Sequence, residues 1–278
     1  MQIIKSKENL AAALARLREG GRALAMVPTM GALHEGHLAL VAEAARRADK
    51  VVASIFVNPL QFNDAGDLER YPRDEEGDAA KLESAGCDAV WMPTPADLYP
   101  EGFATTVHVA GITEAWEGAH RPGHFDGVAT VVTKLFTNVA PDVAVFGEKD
   151  YQQLALIRRL TVDLDLGVEI VGLPTVRAED GLALSSRNAL LSVEERAAAV
   201  ALPRALDEMA RAIGAGASPR EAEAAARETL QSAGFGPIDY VAYVDGDTLE
   251  PLKSAREGAR IIAAASLGKV RLIDNRAG

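Results

Sequence analysis

Short β-rich runs alternate with helix-period segments through the first two-thirds of this chain, and that rhythm leaves few folds open. Runs at residues 23–27, 51–57, 89–92, 143–146 and 168–173 read as strands. Several are apolar throughout rather than alternating with polar residues, as expected where helices cover both faces of a sheet. Between them, residues 35–48, 74–85, 128–139 and 151–160 carry helical patterns. Strand–helix alternation predicts an α/β fold, a doubly wound parallel sheet of Rossmann-like type, with ligands outside the carboxyl ends of the strands. The strand order is not encoded in the pattern.

The rhythm changes after Leu173-Pro174. Residues 192–213 and 219–233 read as Ala/Glu/Arg-rich helices separated by Gly214-Ala215-Gly216. Asn188 or Ser192 can cap the first, and Ser218-Pro219 supplies a cap and a first-turn proline for the second. Strands are expected at 238–244, 259–265 and 270–274, with Gly268-Lys269 as the turn between the last two. The division predicted is a Rossmann-like domain over 1–175 and a smaller C-terminal α+β lid domain over 176–278.

The 278 residues carry a net charge of −11 with no basic stripe, which argues against nucleic acid as a partner. No apolar run approaches the ~20 residues of a membrane helix, so no membrane is expected. The first residues lack the apolar core of a signal peptide. Cys87 stands alone, which excludes an intrachain disulfide and fits a cytoplasmic setting.

Three segments carry chemistry. The first, Met30-Gly31-Ala32-Leu33-His34-Glu35-Gly36-His37, joins the first apolar run to a helix and holds two of the five histidines, spaced i and i+3. Residues three apart share a helix face, and a helix mouth offers N–H groups that attract phosphate. The His-x-Gly-His spacing matches HIGH-type nucleotidyltransferases. The second, Gly147-Glu148-Lys149-Asp150, follows a strand and opens a helix. The third, Leu184-Ser185-Ser186-Arg187, lies at the domain junction. Arg forks onto phosphate oxygens and Ser adds O–H donors. Taken together, the three form a donor set suited to ATP. Read singly, each is also a plausible solvated loop.

These segments, with Phe56 to Phe62, Tyr71-Pro72-Arg73, Arg121-Pro122-Gly123-His124-Phe125 and Gln152-Gln153, resemble the pantothenate synthetases in order and across most of the chain. The resemblance implies ATP-dependent condensation of pantoate with β-alanine through a bound pantoyl adenylate, with pyrophosphate and then AMP released. It also implies a homodimer. Met30 to His37, Gly147 to Asp150 and Val176 would contact the nucleotide, with His37 as proton donor and His34 its partner. Leu184 to Arg187 would close over the phosphates. Gln61 and Gln153 would hold pantoate, Gln61 also lying near β-alanine. Asp78 matches a position linked to Mg²⁺, although Gly77 stands where some members carry an acid.

Chemical need supports the same roles. Pantoate arrives ionised, so adenylation needs charge stabilisation rather than a base. His34, His37, Lys149 and Arg187 are read as those stabilisers. The rivals are a small HIGH-type nucleotidylyltransferase that keeps AMP on its product, a truncated tRNA synthetase, and a non-catalytic nucleotide sensor.

Overall fold

The computed structural model describes residues 1–63 and 65–278, with the backbone alone for Ala65 and Asp67. Its strands are β1 (Gln2–Ile4), β2 (Leu24–Thr29), β3 (Lys50–Ile55), β4 (Ala89–Trp91), β5 (Val143–Gly147), β6 (Glu169–Leu173), β7 (Phe235–Asp245), β8 (Ala259–Leu267) and β9 (Val270–Ala277). The first six form a sheet in the order β1-β4-β3-β2-β5-β6, and every pairing in it is parallel. The α/β expectation holds. From β2 the chain moves outward through β3 to β4 on one side, then returns to lay β5 and β6 on the other. The direction of winding therefore reverses between β2 and β5, which opens a crevice at their carboxyl ends.

Apolar residues on both sheet faces explain the unbroken runs. On one side Met26, Trp91, Phe146 and Val52 pack with Leu10, Phe136 and Leu156 from helices Lys7–Leu17, His124–Val139 and Tyr151–Asp163. On the other, Val27, Val90 and Val145 meet Val41, Ala44 and Leu82 of helices Glu35–Arg47 and Glu75–Ser84. β1 and helix Lys7–Leu17 were not foreseen. β1 has only three residues, too few to show a period.

β7, β8 and β9 form a separate antiparallel sheet, covered by helices Ala201–Gly214 and Pro219–Ser232. The single helix expected over 192–213 is two, Val193–Ala198 and Ala201–Gly214. Pro203 accounts for the break: its ring would clash with the carbonyl of Ala199 in a continuous helix, but it is tolerated in a first turn. The other sheet face meets the larger body through Tyr240, Val244 and Ile262 against Ala155, Tyr151 and Trp116. Arg271 pairs with Glu117 at 2.5 Å across the same seam. Among the described residues, no helix is long and apolar enough to cross a membrane.

Candidate active site

The chain leaves β2 at Thr29 and turns through Gly31 and Ala32, both at positive φ, before helix Glu35–Arg47. His34 caps that helix with its ring: Nδ1 accepts the Gly36 N–H at 3.1 Å. His37 returns the favour, its Nδ1 accepting the His34 N–H at 3.3 Å. Gly36 is required here, because a Cβ would lie 2.8 Å from His34 Cε1. The helix-mouth N–H groups expected to meet phosphate are thus partly consumed by the imidazoles. In exchange, each ring is fixed in the tautomer that carries its proton on Nε2.

Both rings line one cavity, their centroids 4.2 Å apart. Burial, the neighbouring His34 and the cation of Lys149 push His37 down to about 3. Burial, followed by Lys149, also lowers His34. At neutral pH the pair is therefore two neutral Nε2–H donors, not two cations.

Across the β2/β5 crevice, Gly147 ends β5 and the turn Glu148–Asp150 carries Lys149 into the cavity, 3.9 Å from the Asp150 carboxylate. Lys149 and Arg187 hold Asp150 low against the opposing effect of desolvation. The third wall comes from a narrow hairpin. Arg177 pairs with Ala183, and the Leu184 N–H donates to the Val176 carbonyl at 3.0 Å. That hairpin delivers Leu184, Ser185, Ser186 and Arg187 to the same space, where Ser186 meets the Tyr71 hydroxyl.

The cavity measures about 250 Å³. Its inner wall is apolar, with Val128, Val131, Val132, Leu135 and Phe146. At the turn Pro59–Gln61, the buried Gln61 side chain accepts from Asn58 Nδ2 at 3.0 Å and donates towards Met30 Sδ. His124 Nδ1 donates to the Gln61 carbonyl at 2.8 Å while Arg121 approaches its Nε2 at 3.3 Å. Burial and then Arg121 push His124 down to about 4. It is a neutral brace with both nitrogens engaged. Gln152 and Gln153 divide their work: Gln152 ties down the carbonyls of Ile112 and Ala115, while Gln153 faces the cavity. About 100° separates successive residues on a helix, which permits this.

Not every expected nucleotide contact reaches the cavity wall. Met30, His34, Gly36, His37, Gly147, Lys149, Asp150, Val176 and Leu184 to Arg187 do, as do Gln61 and Gln153. Gly31, Ala32 and Leu33 do not line it, Glu35 faces solvent, and Glu148 turns away to pair with Arg260 at 2.5 Å. Asp78 is also behind the wall. Its oxygens accept the N–H groups of Ala32 at 2.7 Å and Leu33 at 2.9 Å, and the residue is 1% exposed. That geometry suits a brace for the histidine loop, not an open metal ligand. Among the described residues, no group of three or more His, Cys, Asp and Glu could hold a metal.

A model of the pantoate–β-alanine ligase family matches residues 2–277. The chain belongs to that family. The pantothenate synthetase of Rhizorhabdus wittichii is 58% identical over all of this chain and 98% of its own. The solved pantothenate synthetase of Thermus thermophilus superposes with a TM-score of 0.94 at 52% identity, covering 100% of this chain and 99% of that one. A pantoate–β-alanine ligase of Francisella tularensis, complexed with a β,γ-ATP ligand and β-alanine, gives a TM-score of 0.83 at 33% identity over 100% and 97% of the chains. Family membership fits a cavity in which strand-end loops and the 176–187 hairpin meet. Asn58, Tyr71 and Arg121 also line it, residues to which the sequence alone gives no role. They sit in the segments that carried the resemblance, but only tertiary contact shows them converging.

Proposed function

We propose that this chain condenses pantoate with β-alanine at the expense of ATP, through an enzyme-bound pantoyl adenylate. The observation that carries the reading is convergence: His34, His37, Lys149 and Arg187 reach one cavity, opposite an apolar wall and two glutamines. Pantoate pairs a geminal dimethyl group with hydroxyls and a carboxylate. The valines and Leu135 suit the first, and the amides of Gln61 and Gln153 suit the second.

In the first step a pantoate carboxylate oxygen attacks the α-phosphorus, and the bond to the bridging oxygen of pyrophosphate breaks. Lys149 and Arg187 stabilise the charge that grows on the phosphates, and the two imidazoles donate from Nε2–H without themselves ionising. In the second step the deprotonated amine of β-alanine attacks the acyl carbon and AMP leaves. Ser185, Ser186 and Arg187, on the segment from about residue 176 onward, act as a lid that keeps water from the adenylate. Magnesium would accompany the nucleotide as its phosphate complex. Asp150 is the carboxylate that the cavity wall offers it, and the ion would neutralise phosphate charge. The family resemblance supports a homodimer, and the single cysteine, Cys87, fits a cytoplasmic location.

The test is exchange of labelled pyrophosphate into ATP with pantoate present and β-alanine absent. Exchange is expected, with free AMP appearing only once β-alanine is added. Exchange that required β-alanine would sink the adenylate route. AMP retained on the product would instead support the nucleotidylyltransferase alternative.

A further inference from the structure

Two adjacent residues of β9 touch both arms of the cation set, although neither contributes to the main cavity. Asn275 is 3% exposed and its amide is fully engaged. Nδ2 donates to the carbonyls of Glu148 at 2.8 Å and Lys149 at 2.9 Å, while Oδ1 accepts from Arg260 Nε at 3.0 Å. Arg260 in turn grips the Glu148 carboxylate. The turn that carries Lys149 is therefore held from the C-terminal sheet through both main chain and side chain.

Asp274, 2% exposed, does the same for the other arm. Its two oxygens take a forked pair of bonds from Arg177, each 2.8 Å long. Arg177 also donates to the Gly181 carbonyl at 3.0 Å and the Asn275 carbonyl at 3.1 Å. It thus locks the base and tip of the hairpin that delivers Ser185 and Arg187. An isolated carboxylate and amide buried at this seam would be costly. Asp274 also accepts the Asn275 backbone N–H at 2.7 Å, but its forked partner is Arg177, and both N–H groups of the Asn275 amide go to the Lys149 turn.

We propose that Asp274 and Asn275 are positioning residues that set the spacing between Lys149 and Arg187 across the phosphates. The proposal rests on the reading of those two as the cations of adenylation. β9 acts as the common ruler: one side chain fixes the turn after β5, its neighbour fixes the 176–187 hairpin, and the strand between them is a rigid link. Displacing either arm by an ångström should slow phosphoryl transfer by roughly 10²-fold.

The experiment is a pair of double-mutant cycles read by the maximal rate of pyrophosphate exchange. Asn275→Asp is nearly isosteric but turns an oxygen towards two carbonyls, so it should push the Lys149 turn away. Arg177→Lys keeps a charge but loses the fork onto Asp274. Each is expected to lower the exchange rate in the natural background. Asn275→Asp should add little to Lys149→Ala, and Arg177→Lys little to Arg187→Ala, because the misplaced cation is already gone. Full multiplication of the effects in both cycles would show a merely structural role and overturn the proposal. Near-normal exchange in Lys149→Ala and Arg187→Ala themselves would instead overturn the assignment of the cations. Should Asn275→Asp fail to fold, the cycle between Arg177 and Arg187 decides.

Discussion

Asp78→Asn discriminates between a brace and a metal ligand at the same position. In the natural chain one carboxylate accepts two N–H bonds, from Ala32 and Leu33, and Lys81 completes the clasp by donating to the Leu33 carbonyl at 2.9 Å. A hydrogen bond to a charged group contributes about 1.5–3 kcal/mol, and a buried donor left unpaired costs about 1–3 kcal/mol. The amide can keep one bond, now neutral, but must present its NH₂ to the other N–H. The expected loss is about 2–4 kcal/mol of stability. Urea unfolding of both proteins reads that loss directly. Pyrophosphate exchange against Mg²⁺ should show an unchanged half-saturating metal concentration, with ATP affinity reduced because the histidine loop is less well held. Natural stability combined with a tenfold greater magnesium requirement would refute the brace and return Asp78 to the metal.

His37→Ala and Lys149→Ala should each slow adenylation by roughly 10²–10³, the usual loss for one preorganised donor, with the circular dichroism unchanged. A variant with near-natural exchange would lose its assigned role. Stability should fall on acidification through the histidines. His37 and His124 are held at about 3 and about 4 in the fold, whereas an unfolded histidine titrates near 6.5. The unfolded chain therefore binds protons first, so their contribution is complete above about pH 6.5 and declines as pH falls towards those lower values. His124→Gln should flatten the decline between pH 7 and 5 in urea titrations, and an unchanged slope would count against a neutral buried ring. Amide exchange across 181–188 should slow when ATP or an adenylate analogue binds, and equal protection with and without ligand would argue against a lid.

The parallel sheet was legible because both of its faces are covered, which leaves runs such as Val143 to Phe146 with no polar interruption. The cation set was legible because strand-end loops bind ligands in such sheets, whatever the strand order. Other features depend on contacts that no local pattern encodes. Asp78 reads as a helix residue like any other until the fold places it beneath Ala32 and Leu33. Likewise, nothing near Asn275 in the sequence says that it reaches the Lys149 turn, 126 positions away. The break at Pro203 was readable in principle, since a proline ten residues into a helical pattern seldom lies in an unbroken helix.

The cations at the cavity sit inside a protein whose net charge is −11, and ATP is itself a polyanion. Attraction from Lys149 and Arg187 fades within a Debye length, about 8 Å at physiological salt, so at longer range the overall negative charge governs the approach. Encounter and grip should then respond to salt in opposite directions. Added monovalent salt would screen the long-range repulsion and speed ATP arrival, while loosening the short contacts and hastening departure. Stopped-flow association would thus accelerate with ionic strength even as equilibrium affinity falls, the reverse of the rate behaviour of an enzyme that steers its nucleotide with a basic surface.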